Sequence, residues 1–127
     1  IGAWYIQHGK RAGDTAAKTA LKDLGWSTPH SQGHNHMPGM YVHRVNDGRS
    51  IGNYRVIQSA SSGALCNIPP HYVRDTKMAT WIHGCLVGHV NMKTDEVHLQ
   101  NIIFHRRPDG MLWTVFGTQM FTSERDK

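Results

Sequence analysis

The chain has 127 residues, and 14 Lys and Arg against 9 Asp and Glu give it a formal net charge of +5. This length fits a single domain over 1–127 and leaves little chain for a second core. A hydrophobic content of 39% excludes generic disorder, no apolar run approaches the roughly 20 residues of a membrane span, and no signal-peptide pattern opens the sequence.

Residues 3–8 read as a short strand, followed by the basic link Gly9-Lys10-Arg11-Ala12-Gly13. Asp14 is suited to cap a helix over 15–24, in which Ala17, Ala20, Leu21 and Leu24 form one apolar stripe, and Gly25 is suited to stop it. Residues 26–39 read as an irregular loop with Pro29, Pro38, Gly33 and Gly39. Strands at 40–45 and 51–58 flank Asn46-Asp47-Gly48, a strong hairpin turn. A connection over 59–76 follows, with a short strand at 64–68.

The last fifty residues read as a meander of strands at 78–91, 96–105 and 111–122, with turns at Lys93-Thr94 and Pro108-Asp109-Gly110. A two-residue turn at Lys93-Thr94 pairs positions summing to 187, which sets His89 opposite His98 and Cys85 opposite Ile102. The second turn pairs positions summing to 218. One face then carries Ile82, Leu86, Val90, Val97, Leu99 and Ile103, joined by Trp113, Val115 and Phe121. The other mixes His83, His89, His98, Gln100 and Thr118 with Trp81, Cys85 and Phe104. Gly84 and Gly88 lie on the apolar face, where they allow the helix to pack closely or the strand to bend. The expected fold is α+β: one amphipathic helix on a mainly antiparallel sheet of five to six strands, ending in a three-stranded meander.

Half-polar, half-aromatic sheet faces serve as ligand surfaces. Trp81, Gln100, Thr118, Arg106 and Arg107 are the candidate ligand-binding residues, and His83, His89 and His98 the candidate acid–base residues. His30, His34 and His36 are candidate ligands for a transition metal such as zinc, although no HExxH pattern accompanies them. His8, Lys10 and Asp14 resemble half of a phosphodiesterase pattern in the wrong spacing, which reads as coincidence. Cys66 and Cys85 form neither a CxxC pair nor a zinc pattern, so a disulfide and two free thiols both remain open.

The basic balance favours an anionic partner, but the charges form no run in sequence. The expected function is a small binding or assembly domain for nucleic acid or a phosphorylated ligand, through the histidine-bearing face and the histidine-rich loop. The alternative is a small phosphodiester hydrolase, ribonuclease-like or metal-dependent, using histidine acid–base chemistry. Long, partly apolar strands point to a homo-oligomer.

Overall fold

A computed structural model describes residues 4–10, 13, 15–46, 52–65 and 81–124. Its nine strands and one helix follow the order β1 (Tyr5–Gln7), α1 (Ala16–Asp23), β2 (His30–Gln32), β3 (Gly39–Asn46), β4 (Tyr54–Ser61), β5 (Gly84–Asn91), β6 (Glu96–Ile103), β7 (His105–Arg106), β8 (Leu112–Phe116) and β9 (Gln119–Thr122). The α+β class holds. The strands form three sheets, however, ordered β1-β2-β4-β3, β5-β6 and β7-β8-β9, rather than one.

The helix forms where the apolar stripe predicts it. Ala16, Ala17, Ala20 and Leu21 are buried, and three alanines let its backbone approach the sheet closely. Asp14, expected as its cap, lies outside the described residues, and Thr15 occupies the N-cap position without a side-chain capping bond. The C-terminus closes as a Schellman turn. Gly25 adopts φ +70°, its N–H donates to Lys22 O at 2.9 Å, and Trp26 N–H donates to Leu21 O at 3.0 Å. The turn delivers the Trp26 ring onto His43, with 4.9 Å between centroids.

Residues 26–39 depart furthest from the expected irregular loop. They contain β2, a wholly buried strand, instead of being loop throughout. It pairs in parallel with β1 on one side and β4 on the other, so α1 is the crossover between parallel neighbours. The strand is polar, His30-Ser31-Gln32, and therefore lacks the apolar alternation that marks strands in sequence. The β3–β4 hairpin is antiparallel as expected, pairing Asn46 with Tyr54 through Gly39 with Ser61. Strand β4 lies three residues beyond the predicted span. Asp47 and Gly48 of its turn are outside the described residues.

Helix α1 covers one face of the four-stranded sheet. The Ser59 hydroxyl donates to Ala17 O at 2.7 Å. The opposite face receives the β5–β6 hairpin. Gln58 docks it by accepting from Leu99 N–H at 2.7 Å and donating to Leu99 O at 3.3 Å. Asn101 donates to Gly39 O at 3.0 Å. The result is a helix–sheet–hairpin stack whose buried apolar residues include Leu21, Ile57, Ala60, Ala64, Leu99 and Ile102. Fully burying each large aliphatic side chain contributes about 1.5–3 kcal/mol.

The packing partner of Gly88 differs from expectation. It is not the helix but the Trp4 indole, which sits where a Cβ on Gly88 would be and donates to Ser31 Oγ at 3.1 Å. Gly63 permits a second close approach, since a Cβ there would lie 2.5 Å from Ile82 O. This crossing sets Ala64 beside His83 as a parallel bridge. Ala64 is the only residue of the predicted 64–68 strand so placed among those described.

In the terminal meander the pairing sum of 187 holds through all of β5–β6, and the sum of 218 holds for β7–β8. The middle strand is interrupted at Phe104, which divides the meander between two sheets. The third predicted strand is itself a hairpin, turning at Gly117-Thr118. That turn pairs Phe121 with Thr114, on the face opposite Trp113 and Val115. Val115 and Phe121 are exposed rather than core, as is Ile82.

Candidate functional site

The structure sorts the histidines by chemistry. His30 is fully buried, 0% exposed. Because the Ser59 hydroxyl spends its proton on Ala17 O, its oxygen accepts from His30 Nδ1, 3.2 Å away. His30 Nε2 then accepts from Gln7 Nε2 at 2.8 Å. These partners select the neutral Nδ1–H form, and burial holds the pKa below the ordinary histidine value. His30 is thus a structural link between β1, β2 and β4. Both nitrogens are engaged, so it cannot join His34 and His36 around a metal. Among the described residues no group of three or more His, Cys, Asp or Glu converges to hold one.

His34 and His36 instead meet His8. The parallel register sets Gln7 beside Gln32, so the next residues, His8 on one strand and Gly33-His34 on the other, emerge side by side. His8 Nε2 and His34 Nδ1 share a hydrogen bond of 3.1 Å, with the rings edge to face at 5.0 Å. His34 and His36 hold left-handed backbones, φ +37° and +53°, uncommon for residues with a Cβ. Buried Asn35 between them pins the turn, accepting from Gly13 N–H at 2.8 Å and donating to Gly13 O at 3.0 Å. The His36 ring lies against Trp81, 4.1 Å between centroids. Burial lowers the His36 pKa, and the neighbouring His34 and His8 lower it further. Nothing local in the sequence ties His8 to this cluster, because the strand that brings it there is the polar β2.

The sheet-face candidates are spread along the hairpin. His89 and His98 are directly paired across β5–β6 and exposed, with 6.4 Å between ring centroids. Together with Val90, Asn91, Glu96 and Val97 they line a hollow of about 380 Å³ at the hairpin tip. Exposed Lys93 lies in the adjoining turn, its backbone N–H donating to Asn91 Oδ1 at 3.1 Å. The Glu96 carboxylate accepts from Thr94 Oγ1 at 2.7 Å.

The remaining candidates do not converge there. Gln100 and His83 lie progressively further from the tip along the same face, both half-buried. Trp81 belongs with His36. Thr118 is at the β8–β9 turn, off the mixed face. Arg106 and Arg107 follow the opposite end of β6, and Arg107 pairs with Asp109 at 3.2 Å. Cys85 is a half-buried free thiol, and Cys66 lies outside the described residues. No described helix is long and apolar enough to cross a membrane. No protein-family model matches the chain, nor does any curated protein or solved structure.

Proposed function

We propose that this chain is a small binding domain for an anionic partner, nucleic acid or a phosphorylated ligand, and that the β5–β6 tip makes the primary contact. The observation that carries this reading is the exposed His89–His98 pair, set beside Lys93 on a projecting hairpin. Imidazole N–H groups and an ammonium are donors suited to phosphate oxygens. The shallow hollow lined by the two histidines suits a backbone lying across it better than a reaction shielded from water. The His8–His34–His36 turn, with exposed Lys10 nearby in sequence, supplies a second polar surface.

Fluorescence anisotropy with a labelled single-stranded RNA tests this. Affinity should fall linearly as salt rises on logarithmic axes. Replacing both His89 and His98 by Ala should weaken binding about tenfold, equal to ~1.4 kcal/mol. Unchanged binding by that variant overturns the assignment of the tip.

The same pair favours a second reading, phosphodiester cleavage, because two facing imidazoles can serve as base and acid across one phosphate. That reading requires turnover of the RNA, abolished in either His89→Ala or His98→Ala with the fold intact. Intact RNA after prolonged incubation at several pH values removes it.

A further inference from the structure

We infer that the outer edge of β9 is a self-pairing surface, and that its occupant is β9 of a second copy of this chain. Strand β8 turns back into β9 at Gly117-Thr118. Gly117 has φ +63° and is the turn's only residue with positive φ, the pattern of a two-residue II′ hairpin. In such a hairpin the flanking residues, Phe116 and Gln119, exchange backbone hydrogen bonds, and the pattern then alternates. Ser123 N–H donating to Leu112 O at 2.8 Å keeps the same parity. The polar backbone groups of Gln119, Phe121 and Ser123 therefore face β8. Those of Met120 and Thr122 point away from it, along a sheet edge that no other described strand covers.

Edges of this kind are normally protected by charge, proline or a bulge. Here residues 112–123 carry no charged side chain and no proline, although 18% of the chain is charged. The hairpin is also apolar and exposed on both faces: Val115 and Met120 share one face, Phe121 lies on the other, and these residues are 47%, 66% and 46% exposed. The sheet has only three strands, one of them two residues long, and so small a sheet with a solvated edge gains little stability alone. A partner that extends the sheet would supply the missing pairing.

A second copy fits this edge specifically. Outward-facing backbone groups must meet outward-facing ones, so two antiparallel β9 strands can pair Met120 with Thr122 of the partner subunit. The two-fold axis then passes through the Phe121 position. Phe121 meets its own copy as a non-hydrogen-bonded pair, the closer type, with Cα atoms about 4.5 Å apart. Aromatic cross-strand pairs of this kind are stabilising. The uncharged segment brings no like charges together, which matters in a chain of net charge +5. The two three-stranded sheets would become one continuous sheet.

Sedimentation velocity of the full chain over a wide concentration range should show a reversible dimer. Thr122→Pro removes an N–H that β8 does not use, and Phe121→Lys sets two cations on the axis. Both should yield monomers with unchanged circular dichroism. In a Cys66→Ser/Cys85→Ser background, Phe121→Cys should oxidise to a covalent dimer far more completely than Met120→Cys, because only position 121 faces itself. A wild-type chain that stays monomeric overturns the proposal. So do a dimer that survives both edge variants and equal cross-linking at positions 120 and 121. RNA binding does not enter these readouts.

Discussion

The contact between Trp4 and Gly88 holds the first strand against the hairpin that carries the His89–His98 pair, and Gly88→Ala probes it. A Cβ built on Gly88 lies 2.2 Å from Trp4 Cη2, 2.5 Å from Cζ3 and 2.9 Å from Cζ2, far inside the ~3.5–4.0 Å of carbon–carbon contact. The indole is rigid, so either the hairpin shifts or the ring leaves. If the ring leaves, the bond from Trp4 Nε1 to Ser31 Oγ is lost, and that hydroxyl belongs to a residue only 4% exposed. Overpacking costs about 1–3 kcal/mol and the lost hydrogen bond about 1 kcal/mol. The expected destabilisation is therefore ~2–4 kcal/mol, measured by urea unfolding followed by circular dichroism. In a Trp4→Ala background the obstacle is gone. The same replacement should then be neutral or stabilising, since Gly in a strand costs roughly 0.5–1 kcal/mol relative to Ala. Equal costs in the two backgrounds would refute the packing argument.

Two further predictions concern the links between layers. His30 is neutral in the fold with its pKa lowered by burial, so the unfolded chain takes up its proton more readily. Its contribution to stability is complete above the unfolded value of about 6.5 and declines as pH falls below it, by at most ~1.4 kcal/mol per pH unit. His36 acts in the same direction. Unfolding midpoints measured against pH should show this decline, and His30→Asn should make it shallower; a slope unchanged by the replacement contradicts the assignment. Gln58→Ala strips both partners from the Leu99 backbone and should cost about 2–3 kcal/mol by urea unfolding. A loss under ~0.5 kcal/mol would show that the hairpin is docked by other contacts.

The terminal hairpin was legible because two signals agreed. Centring the turn on Lys93-Thr94 set the register, although the turn itself spans four residues, 92–95, and alternation along both strands set the faces. The observed His89–His98 pairing follows from these alone. Strand β2 was not legible for a physical reason. Parallel neighbours bury it on both sides, yet its residues are polar, and His30 and Ser31 are held by Gln7, Ser59 and Trp4 from distant segments. Sequence periodicity registers apolar burial and has no signal for a strand held by side-chain hydrogen bonds. The same omission hid His8, whose partner His34 becomes a neighbour only through the β1–β2 pairing. It also made His30 look like a ligand in a loop. The β8–β9 hairpin was missed because a single glycine, inside an apolar run, makes its turn.

The anion-binding account rests on where a ligand lands. Nuclear magnetic resonance mapping of a ¹⁵N-labelled chain, titrated with a short single-stranded RNA, tests this most directly. The account predicts that the largest shifts centre on His89, Lys93 and His98, that they diminish with added salt, and that the His30 ring is unaffected. Shifts that bypass the tip of β5–β6, or none at all, would contradict it.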